Sequence, residues 1–241
     1  MYSFRSRVRY SETDENSRLS LMGAMNYLQD CSTFQSEDLG LGLEYLAKQK
    51  KAWWLSAWQV EFLEFPKLGE EIDISTWAYD FNGIYAYRCF AIRDKEGSYL
   101  VKAKSKWFFF DLLLQRPGKP GRENIEKYIA AGAKPLDMRD FDKRIEKKGE
   151  SKEAGEILVD RIHLDSNHHV NNAHYIEMAR EVLGEEFKLR QLQAHYKKAA
   201  KLGDRIRRRI YEDGEFRVVE LAGEGDTVYA TIAFNQGEGK S

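Results

Sequence analysis

The chain has 241 residues, 42% of them apolar and 13% aromatic, which is enough core for one large domain or two of ordinary size. Its 38 basic and 39 acidic residues leave a net charge of −1, which excludes an overall electrostatic bias toward nucleic acid or an anionic membrane. The only cysteines, Cys31 and Cys89, sit in apolar-periodic stretches and predict buried free thiols rather than a bridge, so nothing points to an oxidising compartment. The first residues, Met-Tyr-Ser-Phe-Arg-Ser-Arg-Val, form no apolar signal segment. The densest apolar run, Trp107 to Leu114, is broken by Asp111 and too short to span a bilayer. A cytoplasmic protein without a membrane span is expected.

In chain order, residues 3–10 predict a strand ending in Tyr10-Ser-Glu-Thr-Asp14. Ser20 is placed to cap a helix whose apolar residues Leu21, Met25, Leu28, Cys31 and Phe34 share a face, and Gly40 and Gly42 mark its end. Four strand-like runs follow at about 52–65, 70–80, 84–94 and 99–110, separated by turn signals such as Asn82-Gly83 and Lys95-Glu-Gly97. Residues 111–154 hold three of the four prolines and many charges; they read as an ordered linker on the outside, with helical patterns around 121–132 and 137–148. The same order then recurs. A strand near 155–162 precedes a helix near 172–184 that carries Tyr175, Met178, Ala179 and Val182 inward. Strands follow at about 188–198, 204–212, 215–222 and 226–234, with Asp213-Gly214 and Gly223-Glu-Gly225 as turns.

Two local matches support duplication. Asp14-Glu-Asn16-Ser-Arg18 aligns with Asp165-Ser-Asn167-His-His169 at an offset of 151, and Lys67-Leu-Gly69 aligns with Lys201-Leu-Gly203 at an offset of 134. The smaller second offset implies a shorter helix-to-strand loop in the second unit. A strand, a long helix and a run of antiparallel strands is the α+β outline of a hotdog unit, and such a unit leaves a sheet edge in need of a partner. The expected fold is therefore a tandem (double) hotdog, each unit a long helix wrapped by an antiparallel sheet. The expected divisions are 1–112 for the first hotdog, 113–152 for the linker and 153–241 for the second hotdog.

The most informative stretch is Asp165-Ser-Asn167-His168-His169-Val170-Asn171-Asn172, immediately before the second helix. Alternate spacing puts Asp165, Asn167 and His169 on roughly one side of the chain, beside the exposed N–H groups of a helix start. A general base, a positioning carboxamide and oxyanion donors from the backbone of Val170, Asn171 and Asn172 are what water attack on an acyl bond requires. Helix capping alone accounts for Asp165, Asn171 or Asn172 taken singly, but not for three alternating functional groups at one turn. His163, His168, His174 and His195 read as surface or packing residues. A zinc site from His168, His169 and His174 lacks a usual ligand spacing, so no metal is expected. Arg18 stands where the histidine would be in the first copy, which makes Asp14 and Asn16 look like a retired site serving as a cap.

Asp165-x-Asn167-x-His169-Val-Asn-Asn172 with Tyr175-Ile176 following resembles the acyl-acyl carrier protein (acyl-ACP) thioesterases in their bacterial form. Trp54-Leu-Ser-Ala-Trp58-Gln-Val-Glu and Tyr196-Lys-Lys ahead of Leu202-Gly203-Asp204 add to the likeness. The resemblance implies two tandem hotdogs, with the acyl chain held by the first and catalytic residues Asp165, Asn167 and His169 in the second. It implies hydrolysis of fatty acyl-ACP to free fatty acid without metal or cofactor, with acyl carrier protein as partner, and it leaves room for a homodimer. One departure stands out: plant relatives carry a Glu and then a Cys just after the motif matching Tyr196-Lys-Lys198, whereas this chain has Ala199 and Ala200. A cysteine nucleophile there is excluded, and any second carboxylate must come from elsewhere.

Basic residues cluster at Lys197, Lys198, Lys201, Arg205, Arg207, Arg208 and Arg209. They read equally as a charge-protected edge strand and as a landing surface for an acidic carrier, for which Lys197, Lys198 and Lys201 are the candidates. The aromatics at 53–65 and 77–90 serve as sheet core or as lining of an acyl tunnel. Competing functions are an acyl-CoA thioesterase of the single-hotdog kind, a hotdog dehydratase and a non-catalytic acyl-binding module.

Overall fold

The computed structural model describes all residues except 130–132, 142–143, 185, 214–215 and 237–241. The expected Asp213-Gly214 turn and parts of both linker helix patterns lie outside the described residues. The chain divides into two compact units: Met1–Ser56 with Phe62–Arg139, and Ala57–Glu61 with Asp140–Ser241.

In the first unit, β1 (Tyr2–Arg7) leads through a 3-10 turn to α1 (Leu21–Asp38), and α2 (Leu43–Gln49) follows. Ser20 Oγ accepts the N–H of Gly23 at 3.0 Å, so the capping residue is the one the sequence marks. The strands β2 (Lys51–Phe62), β3 (Glu71–Asn82), β4 (Tyr85–Arg93) and β5 (Tyr99–Asp111) match the four expected runs, and a two-residue β6 (Arg116–Pro117) pairs with the end of β5. Their order is β1-β3-β4-β5-β2. α1 packs on β1, β3 and β4, burying Met25, Leu28 and Cys31, while Phe34 stays partly exposed. The short α2 has no counterpart among the expected elements.

Of the two helical patterns in the linker, the first is realised as α3 (Arg122–Tyr128). The second, around 137–148, is corrected: its described residues are bends and irregular chain. Hydrogen bonds to the sheet explain this in the part that belongs to the first unit. The Trp77 indole donates to the Lys134 carbonyl at 2.8 Å, Lys104 Nζ to the Met138 carbonyl at 2.8 Å, and the Leu136 N–H to Cys89 Sγ at 3.2 Å. Backbone groups used by the sheet are not available to an i→i−4 ladder.

In the second unit, β7 (Ser151–Leu158) and a 3-10 turn lead to α4 (Asn172–Arg180). Next come β8 (Gln191–Tyr196), β9 (Arg205–Asp213), β10 (Phe216–Ala222) and β11 (Val228–Asn235). The order is β7-β9-β10-β11-β8, and Ala57–Glu61 lies antiparallel to β8, with Ala57 opposite His195. α4 packs on β10 and β11 through Tyr175, Ile176, Met178 and Ala179. At nine residues it is half the length of α1, shorter than the expected 172–184, and Val182 lies beyond it. Arg180 stops it by turning its guanidinium onto the carbonyls of Leu183 and Phe187, at 3.0 and 3.4 Å. Each unit is a helix against an antiparallel sheet, and the fold is the α+β tandem hotdog.

The duplication extends to individual hydrogen bonds. Gly69 N–H donates to the Val8 carbonyl at 2.9 Å, and Gly203 N–H to the Val159 carbonyl at 3.0 Å. Lys67 N–H meets the Glu70 carboxylate and Lys201 N–H the Asp204 carboxylate, each at 2.9 Å. Gly69 and Gly203 adopt φ +81° and +85° with open space around each Cα, so any Cβ there meets backbone strain and no clash. Gly203→Ala should therefore lower unfolding stability by about 1–2 kcal/mol. Gly69→Ala should do the same in the first unit, read as a lower urea midpoint at unchanged slope.

Candidate active site

The Asp165 turn is built by its own carboxylate. Leu164 and Val170 bridge antiparallel, and the Asp165 N–H donates to the His169 carbonyl at 2.8 Å. Oδ1 accepts the N–H groups of Asn167 and His169, at 2.8 and 3.2 Å. Oδ2 has only a long contact, 3.5 Å, from the Asn167 carboxamide nitrogen. His168 takes the left-handed conformation, φ +59°, that reverses the chain. The result places a half-buried carboxylate, an exposed carboxamide and a half-buried imidazole on one five-residue loop.

The first unit carries the same turn. Asp14 Oδ1 accepts the N–H groups of Asn16 and Arg18, both at 2.9 Å, Ser17 takes φ +58°, and Thr13 bridges Leu19. The turn is therefore a structural device of the fold, in which each aspartate closes its own loop while Ser20 and Asn171 do the helix capping. The two loops differ at three positions, Glu15/Ser166, Ser17/His168 and Arg18/His169, and the last is the one that bears on the candidate site. Arg18 sends its guanidinium to the Phe65 carbonyl at 2.8 Å, whereas His169 places an imidazole there.

The expected backbone donors need correction. Val170 N–H donates to the Ala200 carbonyl at 3.0 Å and Asn171 N–H to the His163 carbonyl at 2.9 Å, so both are committed to holding the loop. Asn171 also caps α4 through Oδ1, which accepts the Ala173 N–H at 2.9 Å. Asn172 opens α4, the position where a helix provides its N–H with no internal acceptor.

Two tyrosines that read from the sequence only as packing or as part of a motif fix this loop to the end of β8. Tyr175 Oη accepts the Ala200 N–H at 2.7 Å, and Tyr196 Oη donates to the Asn172 carbonyl at 3.0 Å, with ring centroids 5.9 Å apart. Burial pushes both phenols well above their ordinary range, so they act as neutral hydrogen-bonding struts. Ala200 is wholly buried, with its N–H and carbonyl both used on the site. Ala199 is exposed. The inward helical position of Tyr175 and the Tyr196-Lys-Lys motif are the sequence signals for this clamp.

Lys197, Lys198 and Lys201 are exposed on the loop that flanks Ala200. Of the other basic residues, Arg205 pairs with Glu156, Arg207 with Asp226, and Arg209 with Glu153 and Asp226, while the buried Arg208 Nε has no hydrogen-bond partner among the described residues. His163 and His174 meet edge to face at 5.3 Å, with His163 Nδ1 accepting the Asp160 N–H. Burial and the neighbouring His163 lower the His174 pKa. Cys31 and Cys89 are buried free thiols pushed up to about 12 and about 11 by desolvation, unsuited to nucleophilic work. Among the described residues no group of three or more His, Cys, Asp or Glu side chains is arranged to hold a metal ion. No helix there is long and apolar enough to cross a membrane.

Family models of the acyl-ACP thioesterase N-terminal domain and C-terminal domain match residues 1–128 and 146–235. The chain belongs to the acyl-ACP thioesterase family. It is 28% identical over 181 residues to a chloroplastic acyl-[acyl-carrier-protein] hydrolase of Cuphea viscosissima, covering 70% of this chain and 43% of that one. It is 26% identical over 208 residues to the chloroplastic palmitoyl-acyl carrier protein thioesterase of Arabidopsis thaliana, covering 79% and 50%. The chain thus spans about half the length of the curated relatives it matches. Among solved structures, an acyl-ACP thioesterase from Bacteroides thetaiotaomicron has a TM-score of 0.88 at 24% identity, covering 97% of this chain and 96% of that one. The 12:0-ACP thioesterase from Umbellularia californica has a TM-score of 0.81 at 17% identity, covering 97% and 96%. These likenesses establish the fold.

One carboxylate on α4 stands apart from the clamp. Glu177 Oε2 is enclosed without a hydrogen-bond partner, and burial, then the nearby Glu181, raises its pKa. The folded chain thus holds the Glu177 proton more tightly than the unfolded chain does. Stability falls as pH rises through the window between the unfolded and the raised folded value, and the penalty is complete above it. Glu177→Gln should stabilise the protein at pH 8, and that gain should shrink toward pH 4, measured by urea denaturation at both.

Proposed function

We propose that this chain hydrolyses the thioester of fatty acyl-ACP, releasing free fatty acid by base-assisted attack of water. The observation that carries the reading is the Asp165 loop: it repeats the backbone hydrogen bonds of the Asp14 loop but exchanges a clamped arginine for an imidazole. Asp165 Oδ1 is saturated by two N–H groups, so Oδ2 is the oxygen that holds the water. Asp165 and His169 orient the water and take its proton, while Asn167, held by Asp165, positions the thioester carbonyl. The water oxygen bonds to the carbonyl carbon, and the Asn172 N–H at the start of α4 faces the oxyanion. Collapse breaks the carbon–sulfur bond, and the phosphopantetheine thiolate leaves and takes up a proton.

In this reading residues 1–112 hold the acyl chain, 113–152 link, and 153–241 carry the chemistry, with no metal or organic cofactor. Lys197, Lys198 and Lys201 receive the acidic carrier, a placement supported by their position beside the Ala200 clamp. The reaction is cytoplasmic.

Incubation with a ladder of acyl-ACPs, with acyl-CoAs in parallel, should release free acids from the carrier substrates; failure on every member would sink the proposal. Asp165→Asn isolates the chemistry from the fold, because an Asn Oδ1 still accepts the two turn bonds. It should cut turnover on the order of 10²–10⁴-fold with the melting temperature little changed, as should His169→Ala. Asp14→Asn, the matched change in the first unit, should leave turnover intact. Higher ionic strength should raise KM for acyl-ACP without affecting hydrolysis of a small thioester, and Lys197→Glu with Lys198→Glu should mimic it. Equal salt sensitivity of both substrates would remove the docking role.

A further inference from the structure

Three consecutive leucines, Leu112 to Leu114, stand at the turn after β5, 37%, 72% and 60% exposed. The turn displays them by construction. Asp111 Oδ1 accepts the N–H groups of Leu113 and Leu114, both at 3.0 Å, while its Oδ2 is ion-paired with Lys51. Leu112 N–H donates to the Lys50 carbonyl at 2.9 Å. Gln115, left-handed at φ +50°, returns its carboxamide to the Leu112 carbonyl at 2.6 Å. With the three leucine N–H groups and the Leu112 carbonyl satisfied from within, the tip presents aliphatic side chains at a reduced cost of bringing its backbone to a hydrocarbon boundary.

The surroundings are those of an interfacial anchor. Trp54, 37% exposed, stacks on Phe110 at 3.9 Å and meets Phe108 edge-on at 5.5 Å, giving the same end of the unit an amphipathic indole. Lys50, Arg116 and Lys119 are exposed beside the leucines in the chain, while the nearby Lys48 is paired with Glu44 and adds no net charge. The chain as a whole is nearly neutral, so this local positive charge is what an anionic lipid surface would meet. A narrow, convex tip of three leucines offers little area to a flat protein partner, whose stable contacts bury about 800 Å² a side. It suits insertion between lipid headgroups.

We propose that the Leu112–Leu114 turn with its basic rim is a peripheral anchor for anionic lipid bilayers. It pairs a short apolar insertion with electrostatic attraction, the two signals that reversible membrane attachment needs. The anchor is independent of the hydrolase reading.

The test is co-sedimentation of the full chain with vesicles of phosphatidylcholine alone and of phosphatidylcholine with phosphatidylglycerol at about 3:1. Binding should appear on the anionic vesicles, weaken with salt, and be slight on the neutral ones. Leu113→Ser with Leu114→Ser should weaken it at least about tenfold, with the circular dichroism spectrum unchanged because both side chains are exposed. Lys50→Glu with Lys119→Glu should weaken it comparably, while hydrolysis of a small soluble thioester is unchanged in both variants. No binding to anionic vesicles, or binding indifferent to the leucine change, overturns the proposal. So does a concentration-dependent dimer that the leucine change dissolves in the absence of vesicle binding, which would make the turn a contact between copies.

Discussion

The second unit of this chain depends on a carboxylate that builds its own loop. Asp165 closes its own five-residue loop with Oδ1 and leaves Oδ2 with only a long contact from the Asn167 carboxamide, the oxygen to which the proposed chemistry is assigned. Around it, Val170 is tied to Ala200, Asn171 to His163, and the ends of α4 and β8 are fastened by Tyr175 and Tyr196. A loop bonded at so many points holds its side chains in fixed relation, which is what water attack demands of a base and its positioning partners.

The first unit shows what that loop is without chemistry. Its Asp14 turn, left-handed Ser17 and Thr13–Leu19 bridge reproduce the geometry, and Arg18 spends its charge on the Phe65 carbonyl. The aspartate is therefore required by the fold in both copies, and in the second it is proposed to have gained a reaction. Duplication of the turn bonds, down to the matched Gly69 and Gly203, places the two loops at equivalent points of two hotdog units.

Most strands were legible because alternating aromatic and β-branched residues leave little freedom of register, as the close match of β2 to β5 with the expected runs illustrates. The linker was less so. Its charged, proline-rich stretch around 137–148 has a helical pattern, but hydrogen bonds to Trp77, Lys104 and Cys89 draw the neighbouring chain onto the sheet instead. The 172–184 pattern overran α4 because the signal that ends it, Arg180 folding back on Leu183 and Phe187, is made by a long side chain reaching along the chain.

By itself the sequence determined the α+β class and picked out Asp165, Asn167 and His169 as candidates on one turn, because residue type and alternate spacing are local properties. Tertiary structure decided which backbone donors remain. Val170 and Asn171 look available in the sequence, yet their N–H groups are consumed by carbonyls at Ala200 and His163, and Ala200 is 30 residues further along the chain. It also decided that Tyr175 is a clamp and not mere packing, since a phenol becomes a strut only where folding brings a backbone amide to its oxygen. Hydrogen-bond partners distant in sequence are set by the fold, and no periodicity records them.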